Sequence, residues 1–464
     1  MRRLLAAVLA LGVWGETSML AGEQPVVLTF ERSAAACKSF MGFGVEWDPG
    51  FWHGWNLKAG VTEADWELVT GRIARMKVPV MRVMMQAKWC LRAGGQYDWD
   101  SPEMKNARRY LDVCQRLGIT VILTDWGCEP DWLKAPGIAN VADPKYAEAI
   151  GTYLDHLLNA KGYTCIRYFV MVNEPNYEVK DWGRWKKGVE NVAAELARRG
   201  LDRKMALAGP DESNDEGWHR NAVDQLQKTL GAYDVHRYAQ PDEVRSGRLE
   251  AFFRTQWAYA LEKDPQAGAK PLIVGEAGLC HPGFGAATNP RHLDFDYGVE
   301  MADYAAQAAN AGSWAVSAWM LEDSSHQNFT WGMWQGKAGG FALKPWFYPW
   351  SLLCRQVPAG STTYRPGKAD PDLRALAARS EAKDAPGWTI CLVNRGAKPR
   401  TAVIRTFEGG AVKLKHYLYA KDQAPADKDG FPVPVQERAG DLQAGVEVTC
   451  PANAVYLLTS IDRR

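Results

Sequence analysis

A net charge of one sign is what this 464-residue sequence most plainly lacks, since Lys plus Arg total 55 and Asp plus Glu total 54. That balance removes the long-range attraction on which binding to nucleic acid or an anionic membrane surface depends, and it points to a neutral partner. The nine cysteines, at positions 37, 90, 114, 128, 165, 280, 354, 391 and 450, contain no Cys-x-x-Cys pair and no metal-finger spacing. An odd count leaves at least one thiol free. Cys114, Cys165 and Cys391 lie inside apolar periodic segments, where cysteine is a small core residue, so no disulfide framework is indicated. No Gly-x-Gly-x-x-Gly follows a first strand, which weakens a dinucleotide-binding reading. The first strand, around Phe43 to Trp47, offers Glu46 but no His-x-His for a metal-dependent barrel hydrolase. No metal and no cofactor is therefore expected.

Long apolar runs are also missing, apart from one at the N-terminus. Met1-Arg-Arg3 precedes an apolar stretch from Leu4 to Trp14, and small and polar residues follow to Ala21-Gly22. That is the layout of a secretory signal peptide over residues 1–22, too short in its apolar part to anchor stably in a bilayer. Met19 stands two before Ala21, where a small residue is usual, so the cut is placed only approximately. There is no cysteine near it to carry a lipid. A secreted or periplasmic protein is expected.

The 47 % hydrophobic content of the chain suffices for one domain of barrel size plus a smaller one. After a strand at 26–30 and a strand at 42–47, strands and helices alternate. Strand patterns at 80–85, 120–124, 166–172, 205–208, 233–236, 272–274 and 315–320 are separated by helical stretches. Ser101-Pro102-Glu103 is a good helix start, with a capping hydroxyl and proline in the first turn, and Gly118 closes that helix. Asp143-Pro144 opens another. Eight strands interleaved with helices predict an α/β fold, a (β/α)8 barrel within residues 23–358. A doubly wound open sheet is the runner-up. Past Pro358 the pattern changes to a linker at 360–371 and then short strands at 373–379, 388–394, 401–407, 412–419, 446–450 and 454–458. These predict a small all-β sandwich over residues 359–464, to which residues 25–36 are placed to add a strand. Such a sandwich is more often a structural companion than a second binding site.

The chemistry concentrates at two strand ends. In residues 166–178 a β-prone run ends abruptly in Asn173-Glu174-Pro175. Proline cannot extend a central strand, so the chain turns there and leaves Glu174 at the carboxyl end, where ligands bind in parallel α/β folds. Glu276 ends the seventh strand, close to three βα units later, and so reaches over the same mouth. Two carboxyls facing each other across a cavity are what glycosidic bond cleavage needs. One protonates the leaving oxygen, and the other attacks or activates water.

With these residues in place, the sequence resembles clan A of the glycoside hydrolases, whose barrels carry an Asn-Glu acid/base on the fourth strand and a Glu nucleophile on the seventh. The resemblance implies Glu174 as acid/base, Glu276 as nucleophile and Asn173 as the contact to the sugar 2-hydroxyl. It further implies Arg82 on the second strand as the arginine that holds the nucleophile, His236-Arg-Tyr238 as the clan's His-x-Tyr, and Trp319 as the floor of the sugar subsite. Gly42-Phe-Gly44, Gly209-Pro210 and the strand ending in Asn394-Arg395 are similar to segments of the glucosylceramidase-like and β-xylosidase-like families, without choosing between them. Arg82 is expected to lower the pKa of Glu276 and keep it ionised, and Glu174 is expected to hold a proton before transfer. A structural ion pair is the alternative for Arg82, and a satisfied polar core the alternative for His236 and Tyr238.

Tryptophan is abundant. Of 20, thirteen (47, 52, 55, 89, 99, 126, 132, 182, 185, 218, 319, 331 and 334) fall at strand ends or in the loops after barrel strands, where flat indoles suit the C–H faces of sugar rings. Trp47, Trp126 and Trp319 are the candidates for substrate contact, and about half of the set is expected to pack loops onto the barrel. The loop 321–342 is long enough to wall a cleft, and it carries Glu322, Asp323 and His326. Its acidic pair is a candidate for binding sugar hydroxyls or a structural cation. Together these features predict a secreted retaining β-glycoside hydrolase with a carbohydrate substrate. A transglycosylase using the same glutamates and a non-catalytic carbohydrate-binding barrel are the competing readings.

Overall fold

The computed structural model describes residues 24–463 except 53, 215, 284, 286, 324–328 and 369. The expected signal segment, His326 and the side chain of Trp55 lie outside the described residues. Among those described, no helix is long and apolar enough to cross a membrane.

The expected α/β architecture is present. Two strands, β1 (Val26–Phe30) and β2 (Ala35–Phe40), precede the barrel. The barrel strands are β3 (Gly42–Trp47), β4 (Val80–Met85), β5 (Thr120–Asp125), β6 (Ile166–Val170), β7 (Ala206–Ser213), β8 (Ala232–Ala239), β9 (Leu272–Leu279) and β10 (Ala315–Ala318). They pair in parallel in sequence order, and β10 closes on β3. Local chemistry sets the intervening helices. Ser101 caps Pro102–Leu117 by accepting from the Met104 N–H, and Gly118 ends it in the left-handed region at φ 68°. Thr62 and Asp65 form a capping box on Glu63–Met76. Seven small or branched residues, Val80, Ile122, Val170, Ala208, Ala232, Ile273 and Ala315, come from seven barrel strands and pack together as a plug inside the barrel.

Beyond the barrel come β11 (Ser361–Tyr364), β12 (Leu373–Ser380), β13 (Gly387–Asn394), β14 (Arg400–Thr406), β15 (Ala411–Tyr419), β16 (Gln436–Asp441), β17 (Val446–Cys450) and β18 (Ala454–Thr459). They form a seven-stranded sheet in the order β16-β15-β18-β13-β12-β11-β2 and a three-stranded sheet β1-β14-β17. Both N-terminal strands therefore belong to the sandwich. β11 lies where a linker is expected, because Ser361-Thr-Thr reads as turn composition. Its Thr363 hydroxyl accepts from the Cys37 N–H at 3.1 Å and locks β11 to β2. The helix Phe295–Ala311 packs against barrel strands on one side and sandwich strands on the other, which is why it is buried nearly all round. Arg374 reaches Asp303 on that helix at 3.0 Å and Arg395 reaches Glu300 at 3.3 Å, tying the sandwich to the barrel.

Three barrel strands run further than their sequence patterns. β7, β8 and β9 continue through Pro210, His236-Arg-Tyr238 and Gly275-Glu276. The extensions contain bulges. Pro210 pairs with Asp234 and Glu212 with Val235, so Asp211 is an extra residue in β7. Val274 pairs with Val235 and Glu276 with His236, so Gly275 is an extra residue in β9. Bulges re-aim side chains, and these two sit where the acidic residues converge.

Candidate active site

A cavity of about 420 Å³ opens at the carboxyl ends of the barrel strands. It is lined by Asn173, Glu174, Tyr177 and Glu178 after β6, Ser213 and Asn214 at the end of β7, Tyr238, Glu276, and the aromatics Trp126, Trp132, Trp319, Phe329 and Trp331. Pro175 starts a one-turn helix, Pro175–Glu178, with Glu174 at its cap in the left-handed region at φ 43°. The Asn173 N–H donates to the carbonyl of Asp125 at 2.8 Å, which anchors the turn to β5.

Beneath the cavity floor the charged residues form one connected network. Arg82, with no exposed surface, donates to Oε1 of Glu276 at 2.7 Å, to Oδ1 of Asn173 at 2.8 Å and to Oδ2 of Asp211 at 2.8 Å. Tyr238 donates its hydroxyl to Oε2 of Glu276 at 2.6 Å. His236 lies 3.0 Å from Oε1 of Glu174 through Nδ1 and 3.0 Å from Oδ1 of Asp211 through Nε2. Glycine makes room at two points. A Cβ at Gly275 would sit 2.4 Å from an Asp234 oxygen, and one at Gly278 would sit 2.6 Å from the Tyr238 ring.

Electrostatics follows from this packing. Burial pushes the His236 imidazole down, but the carboxylates of Asp211 and Glu276 outweigh it and hold the ring well above its ordinary value of 6.5. Its two ring nitrogens face carboxyl oxygens, one of Glu174 and one of Asp211, an arrangement that favours the doubly protonated ring. Burial pushes Asp211 up, but Arg82 and His236 bring it down to about 2. Arg82 stays charged because Asp211 and Glu276 overcome its desolvation. For Glu276 the balance differs from expectation. Burial raises it more than His236 and Arg82 lower it, so Arg82 offsets the desolvation of this carboxyl without reversing it. Asp234 and Glu46, both fully buried beside this network, are pushed well above the carboxylate range by burial first and by neighbouring acids second. Burial thus opposes ionisation of both, which limits the negative charge around Arg82.

The structure brings Glu174, Glu276, Asn173, Arg82, His236 and Tyr238 into one constellation and sets Trp126 and Trp319 on the cavity wall. Trp47 is a correction. Its ring has no exposed surface, stacks on Trp66 at 5.4 Å between centroids and donates its N–H to Glu322 at 3.0 Å. It fastens β3 to the loop behind the site and does not line the cavity. The acidic pair of that loop is spent internally as well. Glu322 accepts from the indoles of Trp47 and Trp334, while Asp323 accepts from the Gly332 N–H at 2.8 Å and from Lys344 at 2.5 Å. Of the thirteen tryptophans, Trp126, Trp132, Trp319 and Trp331 line the cavity. Trp132 is 46 % exposed and Tyr177 52 %, so the rim on the Glu174 side presents two open aromatic faces.

Oxygens of Glu174 and Glu276 and a nitrogen of His236 lie within 4.8 Å of one another, as do those of Asp211, Asp234 and His236. These sets do not fit a metal ion. Each contains His236, whose two nitrogens are already hydrogen-bonded to carboxyl groups, and Arg82 already occupies Asp211 and Glu276. Asp211 is the residue that sequence reasoning missed. Its signal was Gly209-Pro210-Asp211 directly after a strand, but Pro210 reads as a strand stop, whereas here it sits beside a bulge inside β7.

A closed parallel barrel with two carboxyls over the carboxyl-end cavity, each held by its own polar partners, defines the class of barrel glycoside hydrolases. The family model described as cellulase (glycosyl hydrolase family 5) matches residues 43–325, more than half of the chain, and the chain belongs to that family. It is a glycoside hydrolase. No curated protein matches the chain. Among solved structures it is similar to the catalytic domain of family 30 xylanase C from Talaromyces cellulolyticus, with a TM-score of 0.68 at 12 % identity, covering 94 % of this chain and 100 % of that one. A family 30 subfamily 8 xylanase from Clostridium acetobutylicum matches with a TM-score of 0.66 at 10 % identity over 94 % of this chain and 100 % of that one. A monomeric β-xylosidase from Caulobacter crescentus CB15 matches with a TM-score of 0.62 at 15 % identity over 94 % and 99 %. At such identities the likeness is one of fold, and it extends through barrel and sandwich together.

Proposed function

We propose that the chain cleaves β-glycosidic bonds with retention of anomeric configuration, using Glu276 as nucleophile and Glu174 as acid/base on a carbohydrate substrate. The observation that carries this reading is the approach of a Glu174 oxygen to within 4.8 Å of a Glu276 oxygen at the cavity floor. Carboxyls about 5 to 5.5 Å apart leave no room for a water between nucleophile and sugar and suit direct attack, whereas inverting pairs stand about 6.5 to 9.5 Å apart. In the first step a Glu276 oxygen bonds to the anomeric carbon, the glycosidic C–O bond breaks, and Glu174 gives its proton to the departing oxygen. In the second, Glu174 takes a proton from water, the water oxygen bonds to the anomeric carbon, and the ester to Glu276 breaks. In this reading Asn173, held by Arg82, contacts the sugar 2-hydroxyl, and Trp319 and Trp126 on the cavity wall take the faces of the rings. The N-terminal signal pattern supports secretion or export to a periplasm.

The test is hydrolysis of a panel of aryl β-glycosides and β-linked polysaccharides, with Glu174→Gln and Glu276→Gln beside the wild type and the product anomer followed by NMR. Turnover with retained configuration, abolished in both folded variants, is the expected result. An inverted product, or full activity in Glu276→Gln, overturns the assignment.

A further inference from the structure

Asp211 joins the parts of the site that Arg82 and His236 hold separately. It is the extra residue of the β7 bulge, it takes φ 65° although it has a side chain, and it has no exposed surface. A side chain in the left-handed region is uncommon, though aspartate enters it more readily than most, and such positions cluster where surrounding structure holds a side chain to a task. Without the bulge, alternation along β7 would send this side chain to the other face of the strand.

The contacts it gains there reach both halves of the site. Oδ2 accepts from Arg82 at 2.8 Å and lies 3.4 Å from the Glu174 N–H, while Oδ1 accepts from His236 at 3.0 Å. Arg82 in turn holds Glu276 and Asn173, and His236 in turn holds Glu174. Glu276, Arg82, Asp211, His236 and Glu174 thus form one chain of hydrogen bonds with Asp211 at its centre. We infer that Asp211 is a positioning residue that couples the two glutamates, fixing Arg82 toward Glu276 and His236 toward Glu174. The inference rests on the roles proposed above for Glu174 and Glu276.

The groups facing His236 come from four strands or the turns that follow them. They are Glu174 after β6, Asp211 on β7, Asp234 on its own strand β8 and Glu276 on β9, with Arg82 and Tyr238 reaching them through Asp211 and Glu276. Burial raises Asp234, and Asp211 is the carboxylate in hydrogen-bond contact with Nε2. When Asp211 becomes a neutral amide of the same shape, His236 gives up its proton at lower pH. Activity that depends on the protonated His236 ring is then lost sooner as pH rises.

The experiment compares Asp211→Asn with wild type and with the two glutamate variants on an aryl β-glycoside across pH. The expected result is a kcat at least tenfold lower, a KM within about threefold of wild type, and an alkaline limb of kcat/KM displaced to lower pH. A structural role alone would lower the melting temperature and leave the pH profile in place, and that outcome overturns the inference. So does an Asp211→Asn enzyme with wild-type kcat beside inactive glutamate variants, a result that leaves the glutamate roles standing. Activity in Glu276→Gln would instead remove the reading on which the inference rests. Should Asp211→Asn not fold, the His236 ring is titrated by NMR in the wild type, where loss of its proton at or below pH 6.5 overturns the inference.

Discussion

Tyr238 donates its hydroxyl to Oε2 of Glu276 at 2.6 Å, on the opposite oxygen from the one that Arg82 holds. Both oxygens of the proposed nucleophile are therefore hydrogen-bonded, and its orientation is fixed from two strands. A hydrogen bond to a charged group contributes about 1.5 to 3 kcal/mol. Tyr238→Phe is expected to lower kcat/KM by about ten- to a hundredfold at an unchanged fold, read by steady-state kinetics beside circular dichroism. Unchanged kinetics would show that Arg82 suffices.

Burial raises Glu276 above its ordinary value of 4.5 despite the nearby cations His236 and Arg82. A nucleophile must be ionised, so activity rises with pH through the pKa of this group. The acid limb of kcat/KM is expected above 4.5. Removing one opposing cation in Arg82→Met leaves burial less opposed, so the limb of the residual activity moves to still higher pH. A limb that stays put or moves down would assign it to another group.

The buried pair Asp211 and His236 makes stability depend on pH from both sides. Asp211 is held at about 2 against an ordinary 3.8, so the stability it contributes is full above 3.8 and lost as pH falls through about 2. His236 is held above its ordinary 6.5, so its contribution is full below 6.5 and lost as pH rises through the higher folded value. Both act fully together only between pH 3.8 and 6.5. Urea midpoints measured across pH should be highest for this pair in that window. In Asp211→Asn the acid-side decline should become shallower.

Much of this arrangement is legible from the sequence, for identifiable reasons. Asn173-Glu174-Pro175 announces itself because proline ends a strand, and Ser101-Pro102 and Gly118 frame a helix through capping chemistry that is local. Asp211, Asp234 and the lengths of β7, β8 and β9 are not local. They depend on bulges that exist only once neighbouring strands pair, and on a glycine whose missing Cβ is explained by Asp234 across the strand. Trp47 fails as a substrate contact for a related reason. A tryptophan at a strand end reads the same whether its indole meets a sugar or a buried Glu322, and the partner lies 275 residues away.

That correction has its own test. Glu322 accepts from the indoles of Trp47 and Trp334, and burial holds it up at about 7, so truncating it leaves two buried N–H donors unpaired. Each such donor costs about 1 to 3 kcal/mol. Glu322→Ala and Trp47→Phe are expected to lower the melting temperature by several degrees while KM for a small aryl glycoside stays within about twofold. A Trp47→Phe enzyme with a many-fold higher KM and wild-type stability would return Trp47 to the substrate.

Trp132 offers the contrasting case, since it is 46 % exposed at the rim beside Trp126, whose ring lies 5.7 Å away edge to face. An aromatic face this open has little to lose in stability when truncated, but a sugar lying across it buries apolar area of both partners. Recovering part of that burial is worth about 1 kcal/mol, or about fivefold in binding. Tyr177 lies in the Pro175–Glu178 turn that follows Glu174, and Trp132 follows β5, the neighbour of β6, so both stand near the proposed acid, which meets the departing sugar. A small aryl leaving group does not reach that far, whereas the next sugars of a glycan chain do. Trp132→Ala is therefore expected to raise KM about fivefold on β-linked oligosaccharides and leave KM on the aryl glycoside of the same sugar unchanged. An equal loss on both substrates would place Trp132 against the sugar that is cleaved rather than the sugars that leave.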